Sequence, residues 1–291
     1  MPATFTDIEK LAAAFWPGPL TMVVARDESV PDRTTGGLDT VGVRMPSDET
    51  ARALIRASGC PIAAPSANLS GRPSPTTAQH VITDLYGRVD AIIQGKDCDH
   101  GIESTVVDMT VDPPMILRPG VITREMLSRA LGKEVAVDPS LNARPARELD
   151  PEAARDAEKE DPAEPGATKP AGPKAPGMKY KHYAPKANVL LLKGSDDAFI
   201  DYINAHAADD VCALCCDEDL LLLRTKTVSL GRRGDYLTHA RHLFDCLRRM
   251  DENPTVHTVY SRLPSTEGVG LAVYNRLIRA AGFEVIDLAS L

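Results

Sequence analysis

Between Arg144 and Met178 the chain loses the means to build a core. These 35 residues hold seven prolines, eight alanines and fourteen charged residues, with only Leu149 and Met178 as large aliphatics. So little apolar surface cannot offset the entropy of ordering a backbone, and the stretch reads as a linker. It imposes a two-domain organisation on the 291 residues: a first domain at 1–143, a linker at 144–186 and a second domain at 187–291. Each flanking block is long enough to bury a core of its own.

Both blocks alternate helical and strand patterns, which predicts mixed α/β layers. In the first, helices are expected over 5–15, 48–58 (started by Ser47 and stopped by Gly59), 77–85 and 124–131. Strands are expected over 20–25, 40–44, 61–64, 91–94, 105–108 and 115–118. The second block predicts strands at 189–192, 211–215, 256–260 and 285–288, with helices at 196–206, 236–250 and 269–281. Leu237, Ala240, Phe244, Leu247 and Met250 recur at helical spacing and form an expected core stripe. A three-layer domain around a largely parallel sheet follows.

Several function classes fall away. No apolar run approaches the roughly 18 residues of a spanning helix, so no membrane partner is expected. Asp7, Glu9 and Lys10 around a short apolar stretch are wrong for a secretory signal, which makes the cytoplasm the expected location. A net charge of −8 offers no broad grip on nucleic acid. Cys212 and Cys215 form a C-x-x-C with His239 and His242 downstream. Against a zinc or redox pair stands the continuous apolar run Val211 to Cys216, in which cysteine serves as a small hydrophobe. No metal ligands are assigned.

Three predicted strands end at an X-Pro step: Arg44-Met45-Pro46, Ala64-Pro65-Ser66 and Arg118-Pro119-Gly120. Proline stops the ladder and turns the backbone at the sheet rim, where open α/β sheets hold ligands. Arg44 and Arg118 are thus placed where a guanidinium fork can clamp a carboxylate or phosphate. Between them, Ser66 to Thr76 is rich in hydroxyls and stiffened by proline. That segment suits a polar ligand such as a nucleotide, and equally suits a capping surface loop.

Taken in order, Phe15-Trp16-Pro17-Gly18-Pro19-Leu20-Thr21, Thr40-Val41-Gly42-Val43-Arg44-Met45-Pro46, Ser66-Ala67-Asn68-Leu69-Ser70-Gly71, Ser104-Thr105-Val106-Val107-Asp108 and Leu117-Arg118-Pro119-Gly120 resemble the YrdC/Sua5 family of threonylcarbamoyl-AMP synthases. Lys179-Tyr180-Lys181-His182-Tyr183-Ala184-Pro185 and Glu267 to Leu277 resemble its longer Sua5 branch. The resemblance implies a YrdC-like twisted mixed sheet with helices, followed by a smaller three-layer α/β C-terminal domain. It implies a nucleotidyltransferase that condenses L-threonine, bicarbonate and ATP into threonylcarbamoyl-AMP and pyrophosphate, with Mg²⁺, and that serves a downstream tRNA-modifying complex making t6A at adenosine 37.

Carried over position by position, Thr40, Ser66, Ser74, Arg118 and Tyr183 match ATP contacts, and Arg44, Ala64 and Ser104 match L-threonine contacts. Tyr183, at the end of the linker, would make that segment a lid. The family pattern also begins earlier than this chain does, with a basic cluster that contacts the substrates. The expectation is therefore an N-terminally truncated catalytic domain with impaired synthesis. The competing reading is a non-catalytic nucleotide- or RNA-binding module of the same fold, with weak, salt-dependent RNA binding.

Overall fold

The structure is a computed structural model that describes residues 4–141, 147–148 and 183–291. Most of the expected linker and lid lies outside the described residues.

In the first domain, α1 (Phe5–Phe15) starts at a capping box in which Thr4 and Asp7 satisfy each other's backbone N–H. It leads into β1 (Leu20–Ala25). A short α2 (Asp32–Thr35) precedes β2 (Thr40–Val43). Then come α3 (Glu49–Ser58), α4 (Ala78–Leu85), β3 (Thr105–Asp108), β4 (Met115–Arg118), α5 (Arg124–Leu131) and β5 (Ala136–Val137). The sheet order is β2-β1-β3-β4-β5. Pairing is antiparallel for β1 with β2 and β3 with β4, and parallel for β1 with β3 and β4 with β5, giving the expected mixed sheet. Helices α1 and α5 cover one face through Leu11, Leu20, Met22, Val107, Ile116, Leu127 and Leu131.

Two expected strands do not form. Residues 61–64 and 91–94 are irregular chain outside the sheet, with Ile62 44% and Ile93 61% exposed. An isolated strand has nowhere to place its backbone hydrogen bonds, and neither segment finds a ladder partner among the described residues. Helix α3 is capped by Asp48, not by Ser47, whose successor has the better-placed acceptor for Ala51 N–H at 2.7 Å; Gly59 ends it in the left-handed conformation as expected.

The second domain runs β7 (Asn188–Lys193), α6 (Asp196–Ala205), β8 (Val211–Cys215), β9 (Lys226–Ser229), α7 (Tyr236–Asp251), β10 (Thr258–Arg262), α8 (Gly268–Ala280) and β11 (Glu284–Asp287). A two-residue strand, β6 (Arg147–Glu148), falls within the expected linker and pairs with β11 at the sheet edge. The order is β6-β11-β7-β10-β8-β9, and every pairing is parallel. The central strands are buried on both faces, which is why β8 reads as an unbroken apolar run. Helix α6 packs on one face through Phe199, Tyr202 and Ile203. Helices α7 and α8 pack on the other through Ala240, Leu243, Phe244, Leu247, Val273 and Leu277. The expected stripe is corrected at one end: Leu237 is 60% exposed, and Leu243 takes the inward position.

Cys212 belongs to the α7/α8 core and Cys215 to the α6 core. Three residues apart on a strand, they point to opposite faces and cannot share a metal ion or close a disulfide.

The two domains meet along α7 and α8. Arg248 donates to Pro73 O (2.6 and 3.1 Å) and to the Asp84 carboxylate (2.7 and 3.3 Å). Asp84, with a fully buried side chain, also takes Arg72 at 2.9 Å. Gly101 (φ +67°) passes so close to α7 that an added Cβ would lie 2.0 Å from the Arg241 carbonyl oxygen. Ile102 inserts beside it into the core of the second domain.

Candidate functional site

Arg118 closes β4, and strict alternation would send its side chain with Ile116 into the α1/α5 core. A β-bulge prevents this. The register passes from Val107 opposite Ile116 to Val106 opposite Arg118, leaving Leu117 as the extra residue. Leu117 packs with Val23 and Val106 on the far face, and Arg118 is turned to that same face. Its Nε donates to Ser104 O at 3.1 Å and its Nη2 to Ser104 Oγ at 3.2 Å. The Ser104 hydroxyl in turn lies 2.8 Å from Thr21 Oγ1 on β1.

The turn after Arg118 is pinned to the start of β3. Thr105 Oγ1 donates to Ile122 O at 2.7 Å and accepts Ile122 N–H at 3.2 Å. Gly120 leaves no room for a side chain, since a Cβ would sit 2.5 Å from Thr105 N. Next to Ser104, Glu103 accepts the Ser74 hydroxyl at 2.6 Å and faces Arg276 of α8 at 3.1 Å.

Charge at this point opposes the acidic total. Burial would raise the Glu103 carboxyl, but Arg276 and then Arg118 outweigh it and hold it below the ordinary glutamate value. Burial lowers Arg118, with Glu103 pulling the other way; a guanidinium stays protonated regardless. Burial and then Glu103 push the Tyr183 phenol up, while Arg276, Arg118 and Arg279 oppose them. Arg276 and Arg118 thus flank one carboxylate. The cluster carries net positive charge and is lined with hydroxyls, which suits an anion with oxygen and nitrogen donors attached.

The structure therefore brings together Ser74, Ser104, Arg118 and Tyr183, four of the eight expected contacts. Tyr183 lies at the seam, 3% exposed, its ring 5.1 Å from Phe244. Arg44 is exposed just beyond β2 and exerts its charge on Arg118; Met45 O accepts Gly18 N–H at 2.9 Å, which holds that segment at the Thr21 end of the sheet. Thr40 is not gathered in: it pairs with Ala25 at the opposite end of β1. Ala64 and Ser66 stand on exposed irregular chain, outside this hydrogen-bond cluster.

Sequence reasoning missed Thr21, Glu103 and Arg276. Arg276 left one trace, since it falls on the apolar stripe of α8 with Ala272, Val273, Leu277 and Ala280. The donor set does not fit a protein-held Mg²⁺: Glu103 is occupied by Arg276 and Ser74, and the other groups are hydroxyls and cations. No group of three or more metal-ligating side chains occurs among the described residues. No helix among them is long and apolar enough to cross a membrane.

The Sua5/YciO/YrdC family profile, described as telomere recombination, matches residues 4–120, and that of the threonylcarbamoyl-AMP synthase C-terminal domain matches residues 122–282. A threonylcarbamoyl-AMP synthase of Pyrococcus abyssi is 39% identical over 97% of this chain and 76% of its own length. One of Bacillus subtilis is 40% identical over 95% of this chain and 73% of its own. The crystal structure of Pyrococcus abyssi Sua5 complexed with L-threonine superposes with a TM-score of 0.80 at 38% identity, covering 98% of this chain and 77% of that one. The chain spans about three quarters of the length of these relatives.

Proposed function

The chain belongs to the Sua5 family of threonylcarbamoyl-AMP synthases, and on that premise we propose that the cluster around Arg118 is the nucleotide end of a site that joins L-threonine, bicarbonate and ATP. The amine of L-threonine and bicarbonate give a carbamate and water. A carbamate oxygen attacks the α-phosphorus of ATP, the bond from that phosphorus to the β-phosphate oxygen breaks, and pyrophosphate leaves. No covalent bond to the enzyme is needed, so the protein's work is alignment and neutralisation of charge.

Arg118, Ser74 and Tyr183 are proposed on the ATP side, and Arg44 and Ser104 on the L-threonine side; Thr40 and Ser66 for ATP and Ala64 for L-threonine stand outside this cluster and are proposed from the family resemblance alone. Arg118 meets phosphate charge as it develops. Arg44, exposed at the same end of the sheet, pairs with the L-threonine carboxylate. Mg²⁺ would enter on the nucleotide's own phosphates, and no step is assigned to it. The product passes to a cytoplasmic tRNA-modifying complex that transfers the threonylcarbamoyl group to adenosine in tRNA.

The observation that carries this reading is the bulge in β4, which lifts Arg118 out of the core and lays it on Ser104. The test is pyrophosphate release by the purified chain with ATP, L-threonine and bicarbonate. Release should require all three, and Arg118→Ala should abolish it. Release that is indifferent to L-threonine, or RNA retention without any release, would refute the assignment.

A further inference from the structure

Arg276 lies on the buried stripe of α8 and is itself 0% exposed. A guanidinium there gives up its hydration, and a hydrocarbon of similar volume would serve stability as well or better. What the guanidinium does that a hydrocarbon could not is reach across the seam to two separate segments of the first domain. Its Nε donates to Glu103 Oε2 at 3.1 Å, its Nη1 to the Pro119 carbonyl, and its Nη2 to Glu103 O at 3.5 Å. One segment carries Ser104 and the other carries Arg118, so a single planar fork fixes their separation. The second carboxylate oxygen of Glu103 takes the proton of Ser74 at 2.6 Å.

From this geometry we propose that Arg276 is a positioning residue for the nucleotide end of the site, acting through Glu103 on Ser74 and through Pro119 on Arg118. The proposal rests on the adenylating reading above and deepens it. The second domain is then part of the nucleotide site's construction. Glu103 also decides what Ser74 can recognise. A hydroxyl whose proton is given to a carboxylate has only lone pairs left to offer. Ser74 is thereby set to accept from a sugar hydroxyl or a base amine, and a phosphate, which has only acceptors, is left to Arg118.

Calorimetric titration of the full chain with ATP and, separately, with L-threonine tests this, using Arg276→Met, Arg276→Lys, Glu103→Gln and the double variant Glu103→Gln/Arg276→Met. Loss of the fork should weaken ATP roughly tenfold, about the worth of one charge-assisted hydrogen bond, and L-threonine by less than about threefold. Arg276→Lys should recover part of the ATP affinity. The double variant should bind ATP no more weakly than the worse single one, because the two residues act as a unit.

Should Arg276→Met fail to fold by circular dichroism, the near-isosteric Glu103→Gln carries the same expectation. Unchanged ATP affinity in a folded variant, or equal losses for both ligands, overturns the proposal. If the unaltered chain binds neither ligand, the adenylating reading itself fails, and this inference with it.

Discussion

Replacing Arg248 by Met tests how firmly the two domains are joined. The Arg248 side chain is 9% exposed, and the Asp84 carboxylate it meets is fully buried. Removing the guanidinium leaves that carboxylate with Arg72, which is 39% exposed, and a 3.3 Å bond from Leu69 N–H. The Pro73 carbonyl loses its donor as well. Breaking a buried pair by deleting one partner costs about 3–5 kcal/mol. Arg72 survives as a partner, so the lower end, about 3 kcal/mol, is the expected loss.

With a urea slope of about 2–3 kcal/mol per molar, the midpoint should fall by roughly 1–1.5 M. The sole tryptophan, Trp16, reports on the first domain, where its indole donates to Leu20 O at 2.7 Å. Its fluorescence transition should coincide with the far-ultraviolet circular dichroism in the unaltered chain and separate from it in Arg248→Met. The pair variant Arg248→Met/Asp84→Leu removes the orphaned carboxylate and should regain part of the loss. A midpoint shift below about 0.3 M, or a pair variant worse than the single one by the full cost again, would refute the reasoning.

Three further outcomes follow from the same seam and from the core. Gly101→Ala forces a side chain onto the Arg241 carbonyl in a left-handed backbone; it should cost at least about 2 kcal/mol in urea unfolding, whereas Gly132→Ala, left-handed but open to space, should cost about 1. Burial and then Arg248 lower the His80 imidazole below its usual 6.5, outweighing Asp245, and its Nδ1 accepts Thr76 N–H at 3.2 Å. The unfolded chain therefore takes up the proton first, so stability should be full above pH 6.5 and fall as pH drops through the folded value; His80→Gln should flatten that slope between pH 7.5 and 5.5. Cys60 and Cys98 are exposed while the other four cysteines are buried; partial burial and then Asp97 raise the Cys98 thiol, and burial pushes Cys212 up to about 11 and Cys215 and Cys246 up to about 12. A thiol reagent at pH 8 should find Cys60 fast and Cys98 slower in the folded protein, and fast reaction of any of the other four would contradict the packing.

Local order was legible where local chemistry sets it. The ends of α1, α5 and α6 follow from Thr4, Thr123 and Ser195 as caps, and the buried strands of the second domain from their unbroken apolar runs. Strand β9 was not legible: Lys226-Thr227-Val228-Ser229 is polar and half-exposed, and only the neighbouring β8 makes it a strand. Residues 61–64 and 91–94 erred the other way, since strand composition is not sufficient without a ladder partner.

The site divides similarly. Arg118 and Ser104 were expected from strand ends and from the family resemblance, but the bulge that unites them is a register shift that no spacing records. Glu103 and Arg276 are 173 residues apart, and neither carries a local mark of the other. Arg248, near the end of α7, reads as a cation complementing the helix dipole until its position beside Phe244 and Leu247 is noticed.

The Arg248 and Arg276 contacts also bear on what the covalent connection between the domains is for. Because the two halves already grip each other through buried forks, a protease cut anywhere from 150 to 180 should yield two fragments that co-elute as one particle and come apart only in denaturant. The peptide between them would then serve to deliver the partners to each other during synthesis, and once they have docked its integrity would cease to matter for holding them together.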